Sequence, residues 1–149
     1  MWALRGSERI ITWRKFRNSI ASLELLTQLE KVVEFWAKAP LASARYDWSQ
    51  PNSWPSPWEL MLDEDYDEFS IGLGMAYTLF LTPGFDYKII NIQAFNDRDN
   101  SSYYFPVVVD KYLLNYSYNQ IVNLNIISRS AILLQNVGYI DLRITELLK

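Results

Sequence analysis

The residues best suited to chemistry lie in one stretch, LDEDYDEFS, which carries Asp63, Glu64, Asp65, Asp67 and Glu68. Carboxylates at alternate positions, as in Asp63, Asp65 and Asp67, can ligate calcium. A calcium loop of the D-x-D-x-D-G kind also needs a turn glycine, and none follows before Gly72. Two carboxylates can also hydrolyse a glycosidic bond, but sequence spacing does not set their separation. A third role is electrostatic: negative side chains favour the positive end of a helix macrodipole. That role accounts for most of the cluster. The sequence supports no catalytic, metal or cofactor assignment. Cysteine and histidine are both absent, which excludes thiolate and imidazole catalysis, disulfides, and thiol or imidazole metal sites.

The cluster must be held by the helix that follows it. A helix is predicted from Asp65 or Tyr66 to about Leu81, with Phe69, Leu73, Ala76, Tyr77 and Phe80 on one face and Ile71, Met75, Leu79 and Leu81 on others. A helix that is apolar nearly all round is a buried helix. Gly72 and Gly74 each cost about 1 kcal/mol of helix propensity, so both imply close approach of a neighbouring element. GLG inside a helix has no preceding strand and lacks the context of a phosphate-binding loop. Just upstream, Ser56-Pro57-Trp58-Glu59 reads as a capping box with proline at the first helical position. It opens a short helix through Met61, and Trp54 and Trp58 fasten that turn to the body of the fold.

Length and composition suggest one globular domain, residues 1–149. Of the 149 residues, 50% are hydrophobic and 21% charged, and the formal net charge is −3. That balance disfavours nucleic acid as a partner. No signal peptide is evident, and the longest apolar run falls short of a membrane span. Residues 1–82 read as a mainly helical layer. Thr12 caps a helix over Trp13 to Ile20, Ser22 caps one over Leu23 to Lys38, and an aromatic loop occupies 40–56. Residues 86–137 read as an antiparallel sheet of 4–5 strands, at 87–95, 103–109 (or from Val107, given Pro106), 112–116, 121–127 and 131–137. Residues 139–149 form a tail with a short helix from Thr145 to Lys149. The fold class is α+β, with N-terminal helices and a buried central helix packed on the sheet.

Surface chemistry points to protein contacts. The N-terminal arm carries Arg5, Arg9 and Arg14 on a basic face. Trp48, Trp54 and Trp58 belong to a set of six tryptophans confined to the first 58 residues. Tyr103, Tyr104, Tyr116 and Tyr118 lie on strands rich in Tyr and Asn. These ten residues are the candidate interface. The sparse cations near the strands argue against single-stranded nucleic acid.

Two resemblances carry further implications. A helix opening on Tyr66-Asp67-Glu68-Phe69-Ser70, then strands, then VVVDKYLLN at 107–115, resembles the core order of the transglutaminase-like, papain-related fold. In that family a C-x-x-F-A helix start supplies cysteine, and the next strands supply histidine and then Asp or Asn. The resemblance covers about residues 66–116. It puts Tyr66 or Asp67 in the nucleophile's place, Tyr104 or Phe105 in the histidine's and Asn115 in the third group's, a scaffold without its thiolate–imidazole pair. Separately, WPSPWEL, LGMAYTL and KYLLNYS are similar to small proteins of contractile-tailed bacteriophages. That similarity implies a non-enzymatic structural or assembly protein of the head–tail or tail. Its partners would be copies of itself or other phage proteins, and it would sit in the virion, or in the host cytoplasm during assembly. The alternatives are a carboxylate-dependent hydrolase or metal-binding protein using residues 63–68, and a regulatory protein binding a host enzyme through its basic arm.

Overall fold

The computed structural model describes residues 1–142, so the helix expected at 145–149 lies outside the described residues. The chain is α+β, with four α-helices and a six-stranded antiparallel sheet among the described residues. The helices are α1 (Gly6–Ile20), α2 (Leu25–Trp36), α3 (Pro57–Met61) and α4 (Glu68–Phe80). The strands are β1 (Ile90–Asp97), β2 (Ser102–Tyr104), β3 (Val107–Val109), β4 (Tyr112–Ser117), β5 (Gln120–Asn123) and β6 (Ala131–Gly138). β1 is the hub. Its far end pairs with β2, its near end with β3, and its other edge with β6. β3 continues the sheet to β4 and β5. Pro106 separates β2 from β3, as a residue with no N–H to donate must.

Several expected boundaries move. α1 begins well before Thr12, after Arg5, whose side chain makes no cap hydrogen bond. α2 is preceded by Glu24 rather than Ser22. The segment after β5 turns into a short 3-10 helix at Leu124–Ile126 instead of continuing as strand. α3 has the capping box: the Glu59 amide donates to Ser56 Oγ and the Ser56 amide to Glu59 Oε1. α4 starts at Glu68, capped by Asp67, whose carboxylate accepts from the Ser70 amide at 2.8 Å and from the Ser70 hydroxyl.

α4 is the buried helix of the core. Ile71 is the one residue between Phe69 and Phe80 that is not fully buried. The hydroxyl of Thr78 organises its inner face. It accepts from the Trp13 indole at 3.1 Å and the Trp36 indole at 3.0 Å, and donates to the Gly74 carbonyl at 2.7 Å. One donor and two lone pairs are all a hydroxyl has, so the group is fully satisfied. Gly74 permits the arrangement. A Cβ there would lie 2.2 Å from the Trp36 ring, so the close approach that glycine implied comes from α2.

Candidate functional site

α4 meets the sheet at its N-terminus, and the sequence prepares that meeting at three positions. Asn115 has φ +62°, a left-handed conformation that Asn tolerates better than most residues. The β4–β5 register shifts between Leu113 and Ser117, and such irregularities re-aim a side chain. Here the Asn115 amide turns to the helix, donating to the Glu68 carbonyl at 2.9 Å and the Phe105 carbonyl at 3.0 Å. Gly72 supplies the space, since a Cβ there would lie 2.7 Å from the Asn115 amide nitrogen and 2.9 Å from the Phe105 oxygen.

Beside this junction a cleft of about 370 Å³ opens between α2, α4 and the β4–β5 hairpin. Val33, Trp36, Ile71 and Met75 form its apolar wall, and Glu68 and Asn115 stand at its polar end. Glu68 is exposed at its rim. Desolvation by its surroundings, and then the neighbouring Asp67 carboxylate, raise its carboxyl pKa. Tyr118 crosses the hairpin side and donates its hydroxyl to the Ala37 carbonyl at 3.1 Å while 80% exposed.

The acidic collar is tied to loop 40–46. Tyr66 and Leu41 form a parallel bridge, with the Tyr66 amide bonded to Pro40 O at 2.8 Å and the Ala42 amide to Tyr66 O at 2.9 Å. Arg45 Nη2 lies 2.5 Å from Asp65 and Nη1 3.6 Å from Asp63. The Tyr46 hydroxyl donates to Asp63 at 2.5 Å. Burial, and then that hydrogen bond, raise the Tyr46 pKa far above its ordinary value. Tyr66 is fully buried, with its hydroxyl held by the Leu60 carbonyl at 2.9 Å, and desolvation pushes its pKa up to about 12. It is a core residue, closed to substrate.

The candidate interface residues scatter. Arg5 is exposed and faces Glu64 at 3.6 Å. Arg14 is exposed. Arg9 is buried and donates to the carbonyls of Trp2, Leu4, Met61 and Asp63. Trp48 packs on Tyr103 and Phe105 under the sheet's β2 corner. Trp54 packs on Phe69, and Trp58 meets Trp13 edge-on while 40% exposed, so both hold the α3 turn to the body. Tyr104 pairs with Tyr116 at 5.4 Å. Tyr116 and Tyr118 both line the cleft. Sequence reasoning missed Arg45 and Thr78. Arg45 carried one signal, a cation in an aromatic loop of a chain whose densest acidic run had no obvious counter-charge.

No protein-family model matches the chain, and no curated protein matches it in sequence. Solved structures do. Legionella pneumophila LapG in its calcium-bound form superposes with a TM-score of 0.71 at 14% identity, covering 91% of this chain and 78% of LapG. The EGTA-treated form gives 0.71 at 16% identity, covering 92% and 77%. At this identity the likeness is one of fold. The solved structures that match are of LapG, not of phage proteins, so the phage resemblance is overturned, and with it the expected non-enzymatic virion protein. Nothing in the fold supports a virion or host-cytoplasm location. Among the described residues no helix is long and apolar enough to cross a membrane.

Proposed function

We propose that this chain recognises an extended polypeptide segment at the α4 cleft, placing one large apolar side chain against Val33, Trp36, Ile71 and Met75 and a basic group on Glu68. The observation that carries the reading is the cleft itself: about 370 Å³, walled by apolar side chains, with the Glu68 carboxylate and the amides of Asn115 and Asn119 in its lining. The charged residue in its lining is Glu68, so charge complementarity favours a cation beside the apolar anchor. An extended polypeptide is the occupant that offers both groups at once, one apolar side chain for the wall and a nearby Lys or Arg for Glu68. Thiolate–imidazole acyl transfer does not carry over, since the chain has neither residue type.

Among the described residues no group of three or more carboxylates is arranged to hold a metal ion, and the Arg45 guanidinium reaches both Asp63 and Asp65.

The test is a peptide array varied in apolar and basic residues, read by binding to the full chain and by mass. Peptides pairing a large apolar residue with Lys or Arg should be retained, and cut or uncut products are told apart by mass. Ala42→Trp, which fills the cleft from loop 40–46, should abolish retention while the far-ultraviolet spectrum is kept. Retention without that preference, or unchanged by Ala42→Trp, would refute the reading.

A further inference from the structure

Building on the cleft reading above, we infer that Tyr118 and Leu41 form a second apolar contact at the cleft's rim. It selects an extended segment that carries a second aliphatic or aromatic residue two positions from the first. Among the described residues these are the two most exposed large apolar side chains, Tyr118 at 80% and Leu41 at 76%. Single exposed apolar residues are ordinary. These two differ because both line the same cleft, Tyr118 from the β4–β5 hairpin and Leu41 from loop 40–46. Val33, Trp36 and Met75 of the inner wall are already buried. A side chain resting on that wall leaves the rim uncovered, so the rim needs a second group.

The Tyr118 ring is held in place although it is exposed. Tyr118 and Asn119 make the two-residue turn between the paired Ser117 and Gln120, and Asn119 supplies the left-handed φ of +53°. The hydroxyl then donates to the Ala37 carbonyl at 3.1 Å. Ala37 is the C-cap of α2, where the last carbonyls have no helical partner, so the bond satisfies an acceptor and ties the ring to α2. A tyrosine fixed at both ends gives up little freedom on binding, which suits it as an aromatic anchor. Leu41 is positioned through its neighbours, since the Tyr66 amide bonds to Pro40 O and the Ala42 amide to Tyr66 O. An extended segment turns alternate side chains to one face. With one apolar side chain on the inner wall, the residue two positions along is the next to face the cleft. The polar lining near the hairpin, Asn115, Ser117 and Asn119, is neutral, so nothing there favours a charge in that second residue.

The test uses the full chain and short labelled peptides that carry one Phe, one Lys and either Leu or Ser two residues from the Phe, read by fluorescence anisotropy. The wild type should bind the Leu peptides about tenfold more tightly than the Ser peptides, as an aromatic anchor predicts. Tyr118→Ala should lose most of that preference, because the surface that tells the two peptides apart is gone. Leu41→Ser should reduce it from the other side of the rim. Both side chains are exposed, so the urea midpoints should match the wild type. If Tyr118→Ala lowers the midpoint, Leu41→Ser carries the comparison. A wild type indifferent to Leu against Ser would overturn the second contact and leave the cleft reading intact. So would full preference kept in Tyr118→Ala and in Leu41→Ser. A wild type that binds none of these peptides would remove the cleft reading and the second contact with it.

Discussion

The two ends of α4 contrast in how much freedom they keep. Its C-terminal half, from Gly74 to Phe80, is locked. One hydroxyl, Thr78, has every hydrogen-bonding position filled, two of them by indoles from different helices. Its carbonyl accepts from the buried Thr82 hydroxyl at 2.7 Å. Arg17 closes the helix end from α1, donating to the Leu81 carbonyl at 3.1 Å with its guanidinium 4.3 Å from the Trp13 ring centre. Desolvation, and then Arg14, lower its pKa to about 10. The N-terminal half is open. Its cap is an ion-paired loop, its sheet partner is an Asn in a left-handed conformation, and a cleft lies beside it. Rigidity at one end lets the other carry exposed polar groups and a cavity without melting the helix. Where the core already fixes the backbone, a site can be built from side chains that contribute little to stability.

The largest effect should come from filling the locked end. Gly74→Leu places a branched side chain where even a Cβ lies 2.2 Å from the fully buried Trp36 ring. Overpacking of this kind costs about 3 kcal/mol or more, against less than about 1 kcal/mol recovered in helix propensity. Urea unfolding should show a lost or much lowered midpoint. A near-normal midpoint would mean that Trp36 can leave α4, and the contrast between the ends would fail.

Thr78→Val comes next. It keeps the shape of the side chain and removes the oxygen, so the Trp13 and Trp36 indole N–H groups are stranded in the core. Each buried donor left without a partner costs about 1–3 kcal/mol, so stranding two gives an expected loss of about 2 kcal/mol or more. Thr78→Ser, which keeps the oxygen, should lose clearly less. Equal losses would show that packing, not the hydroxyl, does the locking.

At the open end, Asn115→Ala removes two amide hydrogen bonds and leaves alanine in a left-handed conformation it disfavours. A loss of about 1–2 kcal/mol is expected. Asn115→Gly should recover the conformational part but not the bonds. If the glycine variant matches wild type, the bridge from β4 to Glu68 contributes nothing to the fold.

What could be read from the sequence follows the same division. The helices-then-strands order, the Ser56 capping box, the all-round apolar α4 and the two glycines in it are local patterns, and local patterns survive into the fold. The glycines even implied close neighbours, although only the three-dimensional packing identifies them as Trp36 for Gly74 and Asn115 with Phe105 for Gly72. The transglutaminase-like resemblance put Tyr104 or Phe105 in the histidine's place and Asn115 in the third group's; in the fold the Asn115 amide donates to the Phe105 backbone carbonyl, a contact that sequence order does not specify. Tyr66 was misplaced as a stand-in for the nucleophile because its burial depends on Trp2 and Trp36, distant in sequence. Arg9 and Arg17 look like solvated cations by spacing. Only the folded chain brings to Arg9 the carbonyls of residues 2, 4, 61 and 63, and to Arg17 the indole of Trp13. The phage resemblance rested on phrases with no constraint on contact, and such phrases do not determine a fold.

The smallest effect on stability, and the most specific on binding, should come from Glu68→Gln. The change relieves desolvation and the repulsion from Asp67, but gives up a favourable charge in the first turn of α4. These oppose, so the midpoint should move by less than about 0.5 kcal/mol. Binding of an apolar-basic peptide is different, because the carboxylate form of Glu68 is what the basic group meets. An exposed pair of this kind is worth about 0.2–1 kcal/mol, or up to about fivefold in Kd at neutral pH. The pH dependence gives the sign. The Glu68 pKa is raised above its ordinary value of 4.5 by desolvation first and Asp67 second. The favourable charge is therefore complete at neutral pH and is lost as pH falls through a midpoint above 4.5. The wild type should weaken across that window, the Gln variant should stay flat, and the two should converge at its acid end. Fluorescence anisotropy of a labelled peptide, with the far-ultraviolet spectrum recorded at each pH, separates this from acid unfolding. Parallel titrations in the two proteins would place the basic group on another carboxylate and remove Glu68 from the cleft's recognition chemistry.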